Sequence, residues 1–289
     1  MIVCLNPFLI LHIMYSLFIL SIFIHRLIKK GFGRIHMQHF YVFTLRKQKK
    51  WLGVIILALF TAIFFLIERD GVFSTFSSDE ETVAFTKGNK DDSNIALTFN
   101  ISWGQEKVLE ILNQLEKENV QATFFVSGEW AERHPGILQK ITEGKHELGM
   151  LGYRYKSYLE QELPQVRKDM LYAKEVFRKL GFKNITLVRP PHGHFNKEVI
   201  KLAEQLGLTV VHWNVNTNDW ENPGTDAIIK TVMEQTSNGD IILMHASDSV
   251  KQTANALKTI LPKLKDKGYK FVPITELINQ AHAQTKLVE

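Results

Sequence analysis

The sequence predicts an α/β fold, in which about seven parallel strands alternate with helices and close into a barrel after one or two apolar N-terminal segments. Short apolar runs follow one another from Ile95 onward, and most of the stretches between them repeat apolar residues three and four positions apart. Gly or Asn often closes those stretches, as expected at helix C-termini. In a barrel of this kind, functional side chains belong at the C-terminal ends of the strands.

The chain begins with apolar segments that predict membrane attachment. Residues 51–67, WLGVIILALFTAIFFLI, contain no charge over seventeen residues, which is the short end of the ~17–25 residues that span a bilayer. The basic stretch RKQKK precedes them, so the positive-inside rule places everything after Ile67 on the outer side of the cell membrane. No small-residue cleavage site of the A-x-A type is evident, which favours a retained anchor over a removed signal peptide.

Residues 2–24 are also apolar, and two interpretations stay open for them. Residues 1–36 are either a first transmembrane segment or an extension upstream of a true start at Met37. The rest is divided into a basic juxtamembrane segment with its anchor at 37–67, a polar linker at 68–94, a domain at 95–281 and a tail at 282–289.

The charge distribution argues against a nucleic-acid partner. The chain has a net charge of +5, but residues 1–67 hold eight of the 35 Lys and Arg residues and no acid. The remainder has 27 basic against 30 acidic residues, so the positive excess lies beside the apolar segments. Cys4 is the single cysteine, which excludes a disulfide within the chain and a thiolate metal site.

Polar and aromatic side chains follow several of the predicted strands. Taken alone, each is most simply a turn residue, a surface charge or a satisfied polar group. If the barrel closes, these side chains, which follow different strands, would meet at one site. The residues that carry this interpretation are Asn100, Ser102 and Trp103 after the first strand, Leu151 and Tyr155 after the third, Arg189, Pro191, His192 and His194 after the fourth, Asp219 and Trp220 after the fifth, and Leu243 and His245 on the sixth.

These motifs resemble the NodB-homology domain of polysaccharide deacetylases, carbohydrate esterase family 4, over about Ile95 to Ile278. TFNIS matches the family's Thr-Phe-Asp-Asp-Gly motif, RPPHG its Arg-x-Pro-(Tyr/Phe)-Gly motif, NTNDW its Asp-x-x-Asp-Trp motif and LMH its Leu-x-His motif. The resemblance implies a distorted barrel and removal of acetyl groups from N-acetylated sugars with a divalent metal such as zinc. The details, among them SWG and GYRYK, are most similar to the PdaB-like sporulation branch.

The resemblance also shows where this chain departs from the family. Ile101, Leu151 and Tyr155 stand at the metal-ligand positions, and Asn100 stands at the position of the catalytic base. Leu and Ile have no donor atom, and a catalytic zinc normally takes three protein ligands, so no metal cofactor is expected. The resemblance assigns the surviving catalytic roles to His245 as acid, Asp219 as its orienting partner and Arg189 as support for the base.

The sequence therefore predicts a membrane-anchored, deacetylase-like protein that acts on or binds peptidoglycan during spore formation or cortex maintenance, with weak or absent deacetylase activity. The expected substrate-binding residues are Asn100, Ser102, Trp103, Tyr155, Pro191, His192, Trp220 and Leu243. Two alternatives stay open. One is an active N-deacetylase whose metal site is rebuilt from His192, His194, His212 and His245, and the other is a structural or partner-binding protein of the sporulation membrane.

Overall fold

The computed structural model describes residues 83–285 and, upstream of them, Leu59. Strands and helices alternate through residues 94–285, as the sequence predicts. The strands are β1 (Asn94–Ile101), β2 (Thr123–Val126), β3 (Glu147–Met150), β4 (Leu187–Val188), β5 (Thr209–Val210), β6 (Val215–Asn216), β7 (Ile241–His245) and β8 (Lys270–Phe271). The helices are α1 (Glu106–Lys117), α2 (Gly128–Arg133), α3 (Pro135–Glu143), α4 (Leu163–Lys179), α5 (Lys197–Gln205), α6 (Thr225–Gln235), α7 (Thr253–Asp266) and α8 (Ile274–Thr285).

The strands form one curled parallel sheet in the order β5-β4-β3-β2-β1-β7-β6, and β8 pairs with the start of β1. Within residues 83–285 no strand pairing joins β5 to β6. The predicted parallel α/β sheet is therefore confirmed, whereas full closure by strand pairing is not, and the sheet is a half-barrel. The predicted fifth strand, TVVHW, is divided in the structure into β5 and the separate strand β6.

A segment that the sequence assigns to the linker lies against the open side of the half-barrel. Phe85 forms a parallel bridge with Val211, just after β5, and Lys87 forms an antiparallel bridge with Asp240, just before β7. The Lys87 ammonium also lies 2.6 Å from the buried Asp240 carboxylate. The packed part of the chain thus begins about ten residues before Ile95.

Alternation along β1 separates two apolar layers. Leu97, Phe99 and Ile101 are fully buried in the larger cluster, which also contains the inward faces of the helices. Ala96 belongs instead to a smaller cluster with Phe125 and Leu151, which fills the inside of the curled sheet. The polar residues of β1, Thr98 and Asn100, share the parity of Ala96 and therefore face the inside.

The predicted membrane segments and the tail from residue 286 lie outside the described residues. None of the helices within residues 83–285 has the length and apolarity that crossing a bilayer requires.

The loop between β1 and α1 is fixed by an acid from the β7–α7 loop. Asp248 accepts hydrogen bonds from the backbone N–H groups of Gln105, Glu106 and Lys107 at 2.8–2.9 Å. No side chain of α1 caps its own N-terminus, so Asp248 supplies the cap from a distance. Gly104 makes this approach possible because it has φ +79°, and a Cβ there would lie 2.1 Å from the Asp248 carboxyl carbon.

Replacement of Asp248 by Ala should lower the free energy of unfolding by about 1–2 kcal/mol, because the first turn of α1 loses its acceptor. Asp248→Asn keeps an oxygen acceptor and should lose less. Asp266→Ala, at the exposed C-terminal end of α7, is the matched control and should change stability by less than about 0.5 kcal/mol. Urea unfolding followed by circular dichroism measures all three, and an Asp248→Ala variant as stable as the control would contradict this role.

Candidate functional site

The C-terminal ends of the strands surround a cavity of about 550 Å³. Seven of the residues predicted from the sequence line it: Asn100, Ser102, Tyr155, His192, Trp220, Leu243 and His245. The structure adds residues that the sequence did not single out as binding residues: His194, Trp213, Asn216, Ser247, Ser249 and Val250. The predicted convergence of strand ends on one site is therefore observed.

Four further predicted residues lie around this cavity without lining it. Arg189 and Asp219 are fully buried, and each is bonded to a residue that does line it. Pro191 is buried at the start of the short 3₁₀ turn Pro191–Gly193. Trp103 is 65% exposed, on the loop that Asp248 holds.

Asp219 and His245 form an oriented pair. Asp219 begins a 3₁₀ turn after β6, preceded by Asn218 in the left-handed region at φ +50°, which Asn tolerates better than most residues. One Asp219 oxygen lies 2.8 Å from His245 Nδ1, and the other accepts the His245 backbone N–H and the Thr253 hydroxyl at 2.8 and 2.6 Å. Because the carboxylate binds Nδ1–H, the Nε2 atom of His245 is the basic nitrogen.

Arg189 lies buried beside the cavity and is bonded to Asn100, which lines it. Its guanidinium donates to the Asn100 side-chain oxygen and to the Thr98 hydroxyl, both at 3.0 Å, and to the backbone carbonyls of Val211 and His212 at 3.4 and 3.2 Å. The guanidinium carbon lies 4.0 Å from the centre of the Phe125 ring. Burial lowers the pKa of Arg189 to about 9, so this side chain is still charged at neutral pH.

Arg189 also fixes the direction of the Asn100 amide. Arginine has only donors, so the Asn100 oxygen must face it and the amide NH₂ must face away. Burial raises the pKa of Tyr155, while the hydrogen bonds from the His192 backbone and Asn100 and the charge of Arg189 oppose this rise, so the phenol is protonated at neutral pH.

The positions of the family's metal ligands do not fit a metal here. Ile101 is fully buried in the outer apolar layer, between the sheet and the helices, and Leu151 is fully buried in the inner layer. Neither side chain has a donor atom, and Tyr155 is a protonated phenol, so these three residues offer no set of zinc ligands.

The histidines near the site do not supply a replacement set. His192 and His194 have ring centres 5.8 Å apart, while His194 Nδ1 lies 3.1 Å from the Ser157 hydroxyl. His212 stacks on Trp213 at 3.8 Å, and burial is the main cause that lowers its pKa. In the part of the chain that the structure describes, no three His, Cys, Asp or Glu side chains are grouped closely enough to hold a metal ion.

Trp213 is the main residue of the site that the sequence did not identify. The sequence assigns it to the end of a continuous fifth strand, but β5 ends at Val210, and Trp213 lies in the connection to β6. Its ring lies 5.4 Å from the Arg189 guanidinium carbon. The Asn-rich stretch NVNTND that follows is the signal that a turn interrupts the strand near this position.

The chain is similar in sequence to known polysaccharide deacetylases. A sequence model described as polysaccharide deacetylase matches residues 87–211. The chain is 34% identical to a peptidoglycan-N-acetylglucosamine deacetylase of Bacillus cereus over 65% of this chain and 89% of the relative. It is 32% identical to the uncharacterized protein YlxY of Bacillus subtilis over 67% of this chain, but it spans only 60% of that relative's length.

A solved structure resembles the domain to a similar degree. The BA3943 protein of Bacillus anthracis, a carbohydrate esterase family 4 pseudoenzyme, aligns with a TM-score of 0.66 at 30% identity, over 70% of this chain and 71% of that protein. A mutant of BA3943 with restored enzymatic activity has also been solved. The sequence matches and the structural alignment agree with one another, and the chain therefore belongs to the polysaccharide deacetylase family.

Proposed function

We propose that this protein recognises N-acetylated peptidoglycan on the outer side of the cell membrane and has little or no metal-dependent deacetylase activity. One observation carries the proposal: the pocket keeps its Asp219–His245 pair but not the residues that would hold a metal. The family's metal-ligand positions are occupied by Ile101, Leu151 and Tyr155. The position of the family's catalytic base is occupied by Asn100. An amide does not accept a proton near neutral pH. Losing a general base costs ~10²–10⁴ in rate, and losing the metal costs several kcal/mol more.

The lining of the pocket suits a neutral sugar. Trp220 lines the pocket and is 55% exposed, so one face of its indole is free to stack on a sugar ring. Asn216 and Ser247 supply amide and hydroxyl groups that match sugar hydroxyls. The Bacillus cereus relative acts on peptidoglycan N-acetylglucosamine, which supports the same class of glycan for this chain.

The related pseudoenzyme supports a binding role without metal chemistry. BA3943 has the same fold, and a mutant of it has restored enzymatic activity. A deacetylase fold can therefore persist in a protein that lacks the family's activity. In the present chain a single Asp at position 101 would not restore a metal site. Its carboxylate would lie in the outer apolar layer that contains Phe99, and burying it there is unfavourable.

The cellular location and timing belong to the same proposal and rest on the sequence. The uncharged segment at 51–67 and the basic residues before it support an anchor with the domain outside. Similarity to the PdaB-like branch supports a role in spore formation or cortex maintenance.

A reporter enzyme that works only outside the cytoplasm should be active when it is fused after Glu289. Activity of a reporter that works only in the cytoplasm, fused at the same position, would refute this topology.

Replacement of Trp220 by Ala should weaken binding of N-acetylglucosamine oligomers about 10-fold, because a stacking contact is worth roughly 1 kcal/mol. Trp103→Ala should have a similar or smaller effect, since Trp103 lies beside the pocket. Tyr172→Ala removes a 46%-exposed ring from α4, which does not line the pocket, and is the matched control. Calorimetric titration measures the affinities. Oligomer binding that is unchanged in both Trp variants, or absent in the unmodified protein, would favour a partner-binding role instead.

Replacement of Asn100 by Asp should not restore metal-dependent deacetylation, because it restores the base without the ligands. The new carboxylate should instead form a buried ion pair with Arg189, whose guanidinium lies 3.0 Å from the Asn100 oxygen. Acetate release from peptidoglycan, with and without added Zn²⁺, measures the outcome beside unmodified protein. Zinc-dependent release by either protein would show that the ligands have been misassigned.

A further inference from the structure

A second cavity, of about 560 Å³, lies between helices α1 and α3. Its lining comes from α1, from residues 119–121 before β2 and from residues 140–146 before β3. Because β2 and β3 are parallel neighbours, these segments lie at the N-terminal edge of the sheet, opposite the C-terminal strand ends that surround the first cavity. This α1–α3 cavity shares no lining residue with the first one.

The buried ring of His146 presents an unpaired donor to the α1–α3 cavity. His146 is 7% exposed, and its Nδ1 accepts the Ala122 backbone N–H at 3.3 Å. The ring proton is therefore on Nε2. Burial lowers the pKa of His146 to about 4, so the ring is neutral at pH 7. Within residues 83–285 Nε2 has no hydrogen-bond partner and is not sealed from solvent, so its N–H faces the cavity that His146 lines.

The glycine at position 144 keeps this donor accessible. Gly144 has φ −72°, which any residue adopts, whereas the next residue, Lys145, has φ +60°, where glycine is favoured. The backbone would therefore explain a glycine at position 145 but not at position 144. A Cβ at position 144 would lie 3.0 Å from His146 Nε2. The missing side chain thus leaves an opening in front of the Nε2–H.

The rest of the lining indicates which ligand fits. The Nε2–H needs an acceptor such as a peptide carbonyl, and the partly buried Leu109 and Leu112 offer an aliphatic wall. No Trp, Tyr or Phe is among the described residues that line the cavity, so it lacks the stacking surface that suits a sugar ring. The charged lining residues are of both signs and form no salt bridge within residues 83–285: Glu116, Lys140, Glu143 and Lys145.

We propose that the α1–α3 cavity binds the peptide part of peptidoglycan, with a peptide carbonyl accepting the His146 Nε2–H and an aliphatic side chain packing on Leu109 and Leu112. Such peptides combine alanine methyl groups, carboxylates and the amine of a diamino acid, which match the aliphatic wall and the charges of both signs. The choice of ligand rests on the proposed recognition of peptidoglycan. The site itself is separate, so a glycan in the first cavity leaves it open.

The test is calorimetric titration of the full-length protein in detergent with the tripeptide L-alanyl-γ-D-glutamyl-meso-diaminopimelate. The unmodified protein should bind one equivalent per chain. Gly144→Ala should weaken this binding about 10-fold, because the new methyl group stands in front of the Nε2–H and the hydrogen bond is lost. Gly136→Ala is the matched control and should leave the affinity unchanged, since this exposed position of α3 has nothing within 4 Å of an added Cβ.

His146→Asn supplies a second variant. The Asn oxygen takes the place of Nδ1 as acceptor for the Ala122 N–H, whereas nothing replaces Nε2. The affinity for the tripeptide should fall about 3–10-fold, which corresponds to one hydrogen bond. Both variants should bind N-acetylglucosamine oligomers as the unmodified protein does, which shows that they are folded.

The outcomes separate this inference from the proposed glycan recognition. Oligomer binding without tripeptide binding, or tripeptide binding that neither Gly144→Ala nor His146→Asn weakens, would overturn the inference alone. Equal affinity for L-alanyl-L-glutamyl-L-lysine, a peptide of the kind found in proteins, would assign the cavity to a protein segment and contradict the wall peptide as ligand. Tripeptide binding that Gly144→Ala weakens, in a protein that binds no oligomer, would support this site and refute the glycan function.

Discussion

The buried guanidinium of Arg189 is the interaction on which the rest of the site depends. It joins the side chains of Thr98 and Asn100 on β1 to the backbone just after β5. Within residues 83–285 no salt bridge pairs this guanidinium with a carboxylate. Its charge is balanced by oriented dipoles and by the Phe125 ring, and burial lowers its pKa to about 9. The orientation of the Asn100 amide follows from this one group.

The substitutions at the site are consistent with one another in electrostatic terms. A site with a divalent metal needs a nearby carboxylate and ligands with free lone pairs, and here the corresponding positions are an amide, two aliphatic side chains and a protonated phenol. A carboxylate at position 100 would form an ion pair with Arg189, whereas Asn100 accepts a hydrogen bond from this guanidinium without neutralising its charge. The other half of the site, Asp219 with His245 and Thr253, is a self-contained hydrogen-bond network and is unaffected by these changes.

Much of this arrangement follows from the sequence, and the exceptions have physical reasons. Apolar runs between helical repeats specified the parallel sheet, and the rule that sites lie at strand C-termini located Asn100, Tyr155 and His245 together. The two-residue strand β6 is not recognisable from the sequence because it has no apolar run of its own, whereas β4, β5 and β8, which are equally short, lie within longer apolar runs. The bridges at Phe85 and Lys87 were missed because polar composition indicated a linker, while long-range backbone pairing and the Asp240 ion pair order that segment. Motif alignment treated Ile101 as a site position, but strand alternation directs it to the outer core.

The account's central claim is that this pocket recognises glycan without a bound metal. Metal content measures this directly: the purified full-length protein is equilibrated with a two-fold molar excess of Zn²⁺, freed of unbound ion and analysed for zinc per chain. The account predicts far less than one equivalent, with glycan affinity unchanged by a chelator. One tightly held zinc per chain, whose removal abolishes glycan binding, would contradict it.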